Sequence, residues 1–126
     1  MPGETTTGPE PGITHQHDFT VEGALLTDVG GTIGVGVLST PGMIAMMEGA
    51  SAMLVQPHLP EGSATVGFEV CVKHVGGALE GAACTATSTL REVVDGRKLR
   101  FDVEVREGER TIGVGTHERR VIHMIL

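Results

Sequence analysis

Between residues 40 and 123 the apolar pattern changes its period once, and that change restricts the folds open to this chain more than any other feature. Thr40-Pro41-Gly42 has the chemistry of a helix start, with Thr suited to the N-cap and Pro to the first helical position. Ile44, Met47, Ser51 and Leu54 then recur at spacings of three and four, and Met43, Met46, Ala50 and Met53 widen the stripe. The helix is expected to stop before Pro57, and Pro60-Glu61-Gly62 to turn the chain. From Ser63 onward the period is two. Val66, Phe68, Val70, Val72 and His74 are expected to share one packed face of a strand. A second strand, Ala82 to Val94, closes on the tight-turn pair Asp95-Gly96. In a third, Leu99, Phe101, Val103 and Val105 alternate with Arg100, Asp102, Glu104 and Arg106. Glu107-Gly108-Glu109 leads into a fourth, from about Thr111 to His123. One helix followed by four antiparallel strands is an α+β plan.

Ahead of the helix the signals are weaker. His15 to Val21 has strand character, whereas Ala24 to Leu38, with Gly30, Gly31, Gly34 and Gly36, reads either as a weak strand or as a loop. Residues 1–12 are too polar to join a core and are expected to form a flexible tail, which leaves 13–126 as one domain. With three Phe and no Trp or Tyr among 126 residues, the core must be filled by Val, Ile, Leu, Met and Ala. A core so short of large side chains favours an oligomer.

A net charge of −7 argues against nucleic acid as a partner, because phosphate binding needs clustered Lys and Arg. No apolar run approaches the ~20 residues that span a bilayer, and no basic leader precedes an apolar stretch, so a cytoplasmic protein with no membrane partner is expected. Cys71 and Cys84 have no CxxC pairing and read as buried free thiols. His15 and His17 share a strand face, but no third ligand accompanies them, and no metal site is expected. The glycines around Gly34 and Gly36 lack the GK[ST] ending of a phosphate-binding loop.

Three blocks stand out in order: TPGMIAMME at the helix start, VGFEVCVKH ending at His74, and GTHERRVIH at 115–123. Together they resemble the fluoroacetyl-CoA thioesterase family, a branch of the hotdog-fold thioesterases, over roughly Asp18 to His123. The resemblance implies an antiparallel β-sheet wrapped around one central α-helix. It also implies a homodimer with sites at the subunit interface, acting on an acyl-CoA or acyl-carrier thioester. No metal or redox cofactor is implied, and coenzyme A enters as part of the substrate. Thr40, Glu48 eight residues later and His74 fall on the family's catalytic set, and Gly67 and Arg119 on its substrate site. The fluoroacetate-specific member closes its acyl pocket with phenylalanines ahead of the helix. The corresponding GGTIGVGVLST here has none, which leaves the acyl group open.

On these residues the chemistry keeps several forms. Glu48 lies at the margin of the apolar stripe, where its carboxylate either reaches solvent or serves as general base or nucleophile toward the thioester carbonyl. His74 is a satisfied core residue, or it protonates the departing thiolate or orients the attacking water. Thr40 is a helix cap, a nucleophile or a water-positioning group. Eight residues of straight helix separate it from Glu48 by ~12 Å along the axis, too far for direct contact. N–H groups at the helix start suit an oxyanion, and Gly67 would let a thioester approach the strand backbone. Arg119 either holds a substrate oxygen or pairs with an acidic neighbour, and Arg120 and Lys73 are candidates for coenzyme A phosphates. The rival readings are a hotdog enoyl-thioester hydratase and a non-catalytic acyl-CoA-binding module.

Overall fold

The central helix begins one residue earlier than its start signal suggests. In the computed structural model, which describes residues 8–124, Ser39 is the N-cap, and its Oγ accepts the Gly42 N–H at 2.9 Å. Helix α1 therefore spans Thr40–Val55, with Pro41 in its first turn, where a missing N–H costs nothing. Both Ser39 and Thr40 have cap chemistry, and the extended backbone at Ser39 decides between them. Helix α1 ends before Pro57 and passes into a single tighter turn at Gln56–His58.

The buried side of α1 carries Met43, Met46, Met47, Ala50, Ser51, Leu54 and Val55, while Ile44 is half-buried and Met53 exposed. The expected stripe is thus rotated slightly. Ile44, Ala45 and Met53 are apolar as well, so the pattern alone defines the packed side loosely.

Among the described residues, seven strands accompany the helix: β1 Thr14–Thr20, β2 Leu26–Thr27, β3 Val37–Leu38, β4 Ser63–His74, β5 Ala83–Val94, β6 Lys98–Glu107 and β7 Arg110–His123. Five form one antiparallel sheet in the order β1-β5-β6-β7-β4, and β2 and β3 pair separately. β5, β6 and β7 follow one another as hairpins. The β5–β6 turn takes positive φ at both Asp95 (57°) and Gly96 (63°), the backbone that a two-residue turn demands. β4 crosses to the far side and pairs with β7, which leaves its other edge open. The stretch from Ala24 to Leu38 proves to be both things: two-residue strands at its ends and turns between them. Of the expected tail, residues 1–7 lie outside the described residues. The Gly12 N–H donates to the Leu90 carbonyl at 2.8 Å, so the chain is tied to the sheet from there.

The core lies between α1 and one face of the sheet. Leu90, Leu99, Phe101, Val105 and Ile112 meet Met43, Met46 and Met47, all almost wholly buried. Flexible thioether side chains occupy the volume that aromatics would otherwise fill. Two hydroxyls inside it are satisfied: Ser51 Oγ lies 2.7 Å from Ser88 Oγ and donates to the Met47 carbonyl at 2.8 Å. Cys84 is buried, and desolvation pushes its thiol pKa up. Cys71, expected to be buried, is instead exposed, and both thiols are free.

One expectation about β4 fails. Val66, Phe68 and Val70 are exposed rather than packed. Two causes act together: β4 is an edge strand, and its pairing with β7 slips between Gly67 and Glu69. This β-bulge interrupts the alternation assumed from the pattern.

Replacing the cap tests the revised helix start. Ser39→Ala is expected to lower unfolding free energy by ~1 kcal/mol in urea titrations, and Thr40→Ala by less than about half of that. The opposite order would return the cap to Thr40.

Candidate active site

In a regular strand, residues seven apart point to opposite faces. Gly67 and His74 are seven apart, yet both face α1. The bulge supplies the missing residue: Gly67 pairs with Arg119 and Glu69 with Glu118, so Phe68 has no partner of its own. Thr65 and Gly67 before it, and Val72 and His74 after it, all turn toward the helix side.

At one end of this face, Thr40 Oγ1 lies 2.8 Å from His74 Nδ1. Because Ser39 does the capping, the Thr40 hydroxyl is free to make this bond. His74 Nε2 is buried and has no hydrogen-bond partner among the described residues. Pro41 has no N–H, the Gly42 N–H goes to Ser39 Oγ and the Met43 N–H to the Ser39 carbonyl at 2.9 Å.

Toward the other end, Glu48 projects from α1 over Gly67. A Cβ on Gly67 would sit 2.6 Å from Glu48 Oε2, so a carboxylate here requires glycine there. Glu48 Oε2 is 3.8 Å from Arg119 Nη1, an ion pair too long for a hydrogen bond. Arg119 is 9% exposed and Glu48 40%. Arg119 Nε donates to Thr65 Oγ1 at 2.8 Å and Nη2 to the Thr65 carbonyl at 3.0 Å. Nη1 donates to His117 Nε2 at 3.2 Å, and His117 Nδ1 donates to the Glu69 carbonyl at 2.7 Å. A carbonyl only accepts and a guanidinium only donates, so His117 is held neutral with its proton on Nδ1. Burial pulls the His117 pKa down, opposed by the bond to Glu69 and reinforced by the Arg119 charge. Burial also lowers the Arg119 pKa, against the pull of Glu48. A cleft of about 410 Å³ opens here, lined by Glu48, Gly49, Ala52, Thr65, Val66, Gly67 and Arg119. A larger hollow, about 610 Å³, lies against the glycine-rich loop but has Asp28 as its one ionisable lining residue.

The candidate residues therefore form two groups, Thr40 with His74, and Glu48 with Gly67 and Arg119. No hydrogen bond or ion pair joins the groups among the described residues. Arg119 lies 3.8 Å from an acidic neighbour, Glu48, but is buried rather than on the sheet surface. Arg120 lies on the outer face, 3.6 Å from the Phe68 ring centroid and 2.8 Å from Glu118 Oε2. His117 and Thr65 were not singled out from sequence as site residues. His117 lies within the GTHER run, but Thr65 carries no local signal. His15 and His17 stack with their ring centroids 6.0 Å apart, and among the described residues no group of three or more His, Cys, Asp or Glu is placed to hold a metal.

One long helix packed on a five-stranded antiparallel sheet, with a carboxylate on the helix facing a cleft, defines a hotdog-fold domain. A thioesterase superfamily member from Thermus thermophilus, 24% identical, shares the fold over 90% of this chain and 84% of that one, with a TM-score of 0.79. A solved structure of the fluoroacetyl-CoA thioesterase FlK matches at 31% identity over 94% of this chain and 91% of that one, with a TM-score of 0.83. The fluoroacetyl-CoA thioesterase of Streptantibioticus cattleyicolor is 39% identical over 88 residues, which is 70% of this chain and 63% of that protein's length. The profile of the fluoroacetyl-CoA-specific thioesterase family, FlK, matches residues 21–124, and the chain belongs to that family.

The contact at Gly67 can be tested without an activity assay. Gly67→Ala is expected to fold normally, because the carboxylate it meets ends a flexible side chain, but to push Glu48 aside. The Glu48 side-chain carboxyl ¹³C resonance should move in the variant, and an unchanged resonance would show that the two do not touch.

Proposed function

We propose that this chain hydrolyses a small acyl-CoA thioester to the free acid and thiol, as a homodimer that completes its sites from both copies. The observation that carries this reading is the Glu48 carboxylate. In a chain of this family it is half-exposed in a cleft, Gly67 leaves it room and Arg119 lies beside it without closing on it. A carboxylate so placed takes the proton of a water attacking the thioester carbonyl. Thr40 Oγ1, held 2.8 Å from His74 Nδ1, orients that water, and the proton taken up by Glu48 passes to the departing thiolate. Gly67 and Arg119 border the substrate. Coenzyme A is part of the substrate, and no metal or redox cofactor enters this scheme.

The open edge of β4 supports the dimer. Twelve residues long and bearing exposed Val66, Phe68 and Val70, it is a surface that soluble proteins normally cover. Antiparallel pairing of two β4 edges about an axis between Val70 and Cys71 sets Gly67 close to His74 of the partner subunit. The Glu48 group of one copy then faces the Thr40–His74 group of the other, which overcomes the ~12 Å separation along the helix. In this reading the hotdog domain begins at residue 13. Two free thiols, one of them exposed, support a reducing cytoplasmic setting, and no helix among the described residues is long and apolar enough to cross a membrane.

Thiol release from acetyl-, fluoroacetyl-, malonyl-, propionyl-, butyryl-, phenylacetyl- and longer acyl-CoA tests the activity. Turnover of at least one, lost by ~100-fold or more in both Glu48→Ala and His74→Ala, is expected. Binding without release from any substrate would favour an acyl-CoA-binding module, and loss of an enoyl chromophore a hydratase. Subunit mixing tests the shared site. Glu48→Gln and His74→Ala chains, each inactive alone, are expected to regain about a quarter of wild-type activity when recombined, since half the dimers then hold one intact site. No recovery would place the whole site within one chain.

A further inference from the structure

We propose that His117 is a positioning residue for the reaction, which holds the Arg119 guanidinium back from Glu48 so that the carboxylate stays free to act as a base. The inference rests on the reading of Glu48 given above. Arg119 is planar, and three contacts fix its plane: Nε and Nη2 on Thr65, and Nη1 on His117 Nε2. Thr65 secures one side of the fork and leaves Nη1 as its free end. Nη1 carries two N–H groups: one donates to His117 Nε2 at 3.2 Å, and with the plane so held Nη1 stays 3.8 Å from Glu48 Oε2, beyond hydrogen-bond reach.

The imidazole is fit for this task. Its proton is committed to the Glu69 carbonyl at 2.7 Å, which leaves a bare Nε2 aimed at Arg119. It is 3% exposed, and the Phe101 ring stacks on it with centroids 6.0 Å apart and planes 27° apart. A Cβ on Gly67 would lie 3.6 Å from its Cε1, so the ring also borders the floor beneath the Glu48 carboxylate. Without an acceptor at this place, Nη1 would close on Glu48 and make a direct charge-assisted hydrogen bond. The carboxylate would then be a weaker base, drawn away from the cleft. His117 touches no reacting atom in this account and acts wholly through Arg119.

Two substitutions separate this role from a structural one. Asn at 117 keeps a donor near the Nδ1 position, for Glu69, and removes the acceptor for Arg119. Gln places an acceptor near the Nε2 position and gives up the donor. Steady-state kinetics on the best acyl-CoA substrate, with thermal melting alongside, should show His117→Asn lowering kcat by ~10-fold or more while KM changes by less than ~3-fold. His117→Gln should recover a substantial part of kcat, even where it melts lower than His117→Asn. The Glu48 side-chain carboxyl ¹³C resonance should move in His117→Asn, as Nη1 closes on it, and return toward its wild-type position in His117→Gln. Long-range ¹H–¹⁵N correlation on the wild-type protein should find His117 protonated at Nδ1 and not at Nε2.

Equal losses in the Asn and Gln variants, a Glu48 carboxyl resonance unmoved in His117→Asn, or a proton on Nε2 would each overturn the proposal. A wild-type protein that releases no thiol would instead overturn the reading of Glu48, and the tautomer measurement would still decide the geometry of His117.

Discussion

A single extra residue in β4 organises the site. A strand alternates its side chains with a period of two, and the two groups that meet α1 from this strand are separated by an odd number of positions. Without the irregularity at Gly67–Glu69, either the glycine beneath Glu48 or the histidine beside Thr40 would face away from the helix. The same bulge turns Phe68 to the outer face, where Arg120 stacks on it. A bulge disturbs the ladder locally, and the Glu69 carbonyl beside it is taken by His117 Nδ1. The bond that satisfies this carbonyl is also the bond that sets the tautomer of the ring. Backbone irregularity and side-chain chemistry are thus one arrangement.

The charges follow a matching logic. With a net charge of −7 the chain has few cations to place, and it buries one of them, Arg119, beneath a half-exposed carboxylate. A buried charge is tolerated when its hydrogen bonds are met, and Thr65 and His117 supply three of them. The Glu48–Arg119 pair is therefore not a tight salt bridge, and Glu48 keeps its access to the cleft. The outer face shows the contrast. There Glu118, 6% exposed, is bonded directly by Arg100 and Arg120, and the Arg120 guanidinium in particular holds its carboxyl below the usual carboxylate range. One face spends its arginines on closed ion pairs, and the other holds one in reserve.

Much of the fold was legible in the sequence, because its signals are local. Helix α1, the four strands that follow it and the Asp95-Gly96 turn each depend on residues close in the chain, through periodicity and turn chemistry. Where two local signals competed, the outcome was set elsewhere. Ser39 and Thr40 both suit a cap, but the Thr40 hydroxyl has a partner 34 residues away in His74. Chain periodicity assigned Val66, Phe68 and Val70 to a packed face, and the edge position of β4 exposes them. Of the site, Thr40, Glu48, Gly67, His74 and Arg119 were implied by the family resemblance of three sequence blocks. Their division into two groups was not, and neither were the roles of Thr65 and His117 as partners of Arg119.

By itself, then, the sequence determined which segments are helix and strand and where the chain turns, since these rest on periodicity and turn chemistry among near neighbours, and its three blocks carried the resemblance to the family. Only the tertiary structure decided that β4 lies beside β7, that its register slips at Gly67, and which of two hydroxyls caps the helix. It also decided which acceptor takes the free end of Arg119. The physical reason is common to all four. Each is settled by the pairing of groups far apart in the chain, where tenths of an ångström and the burial of a charge outweigh any preference that a residue carries alone.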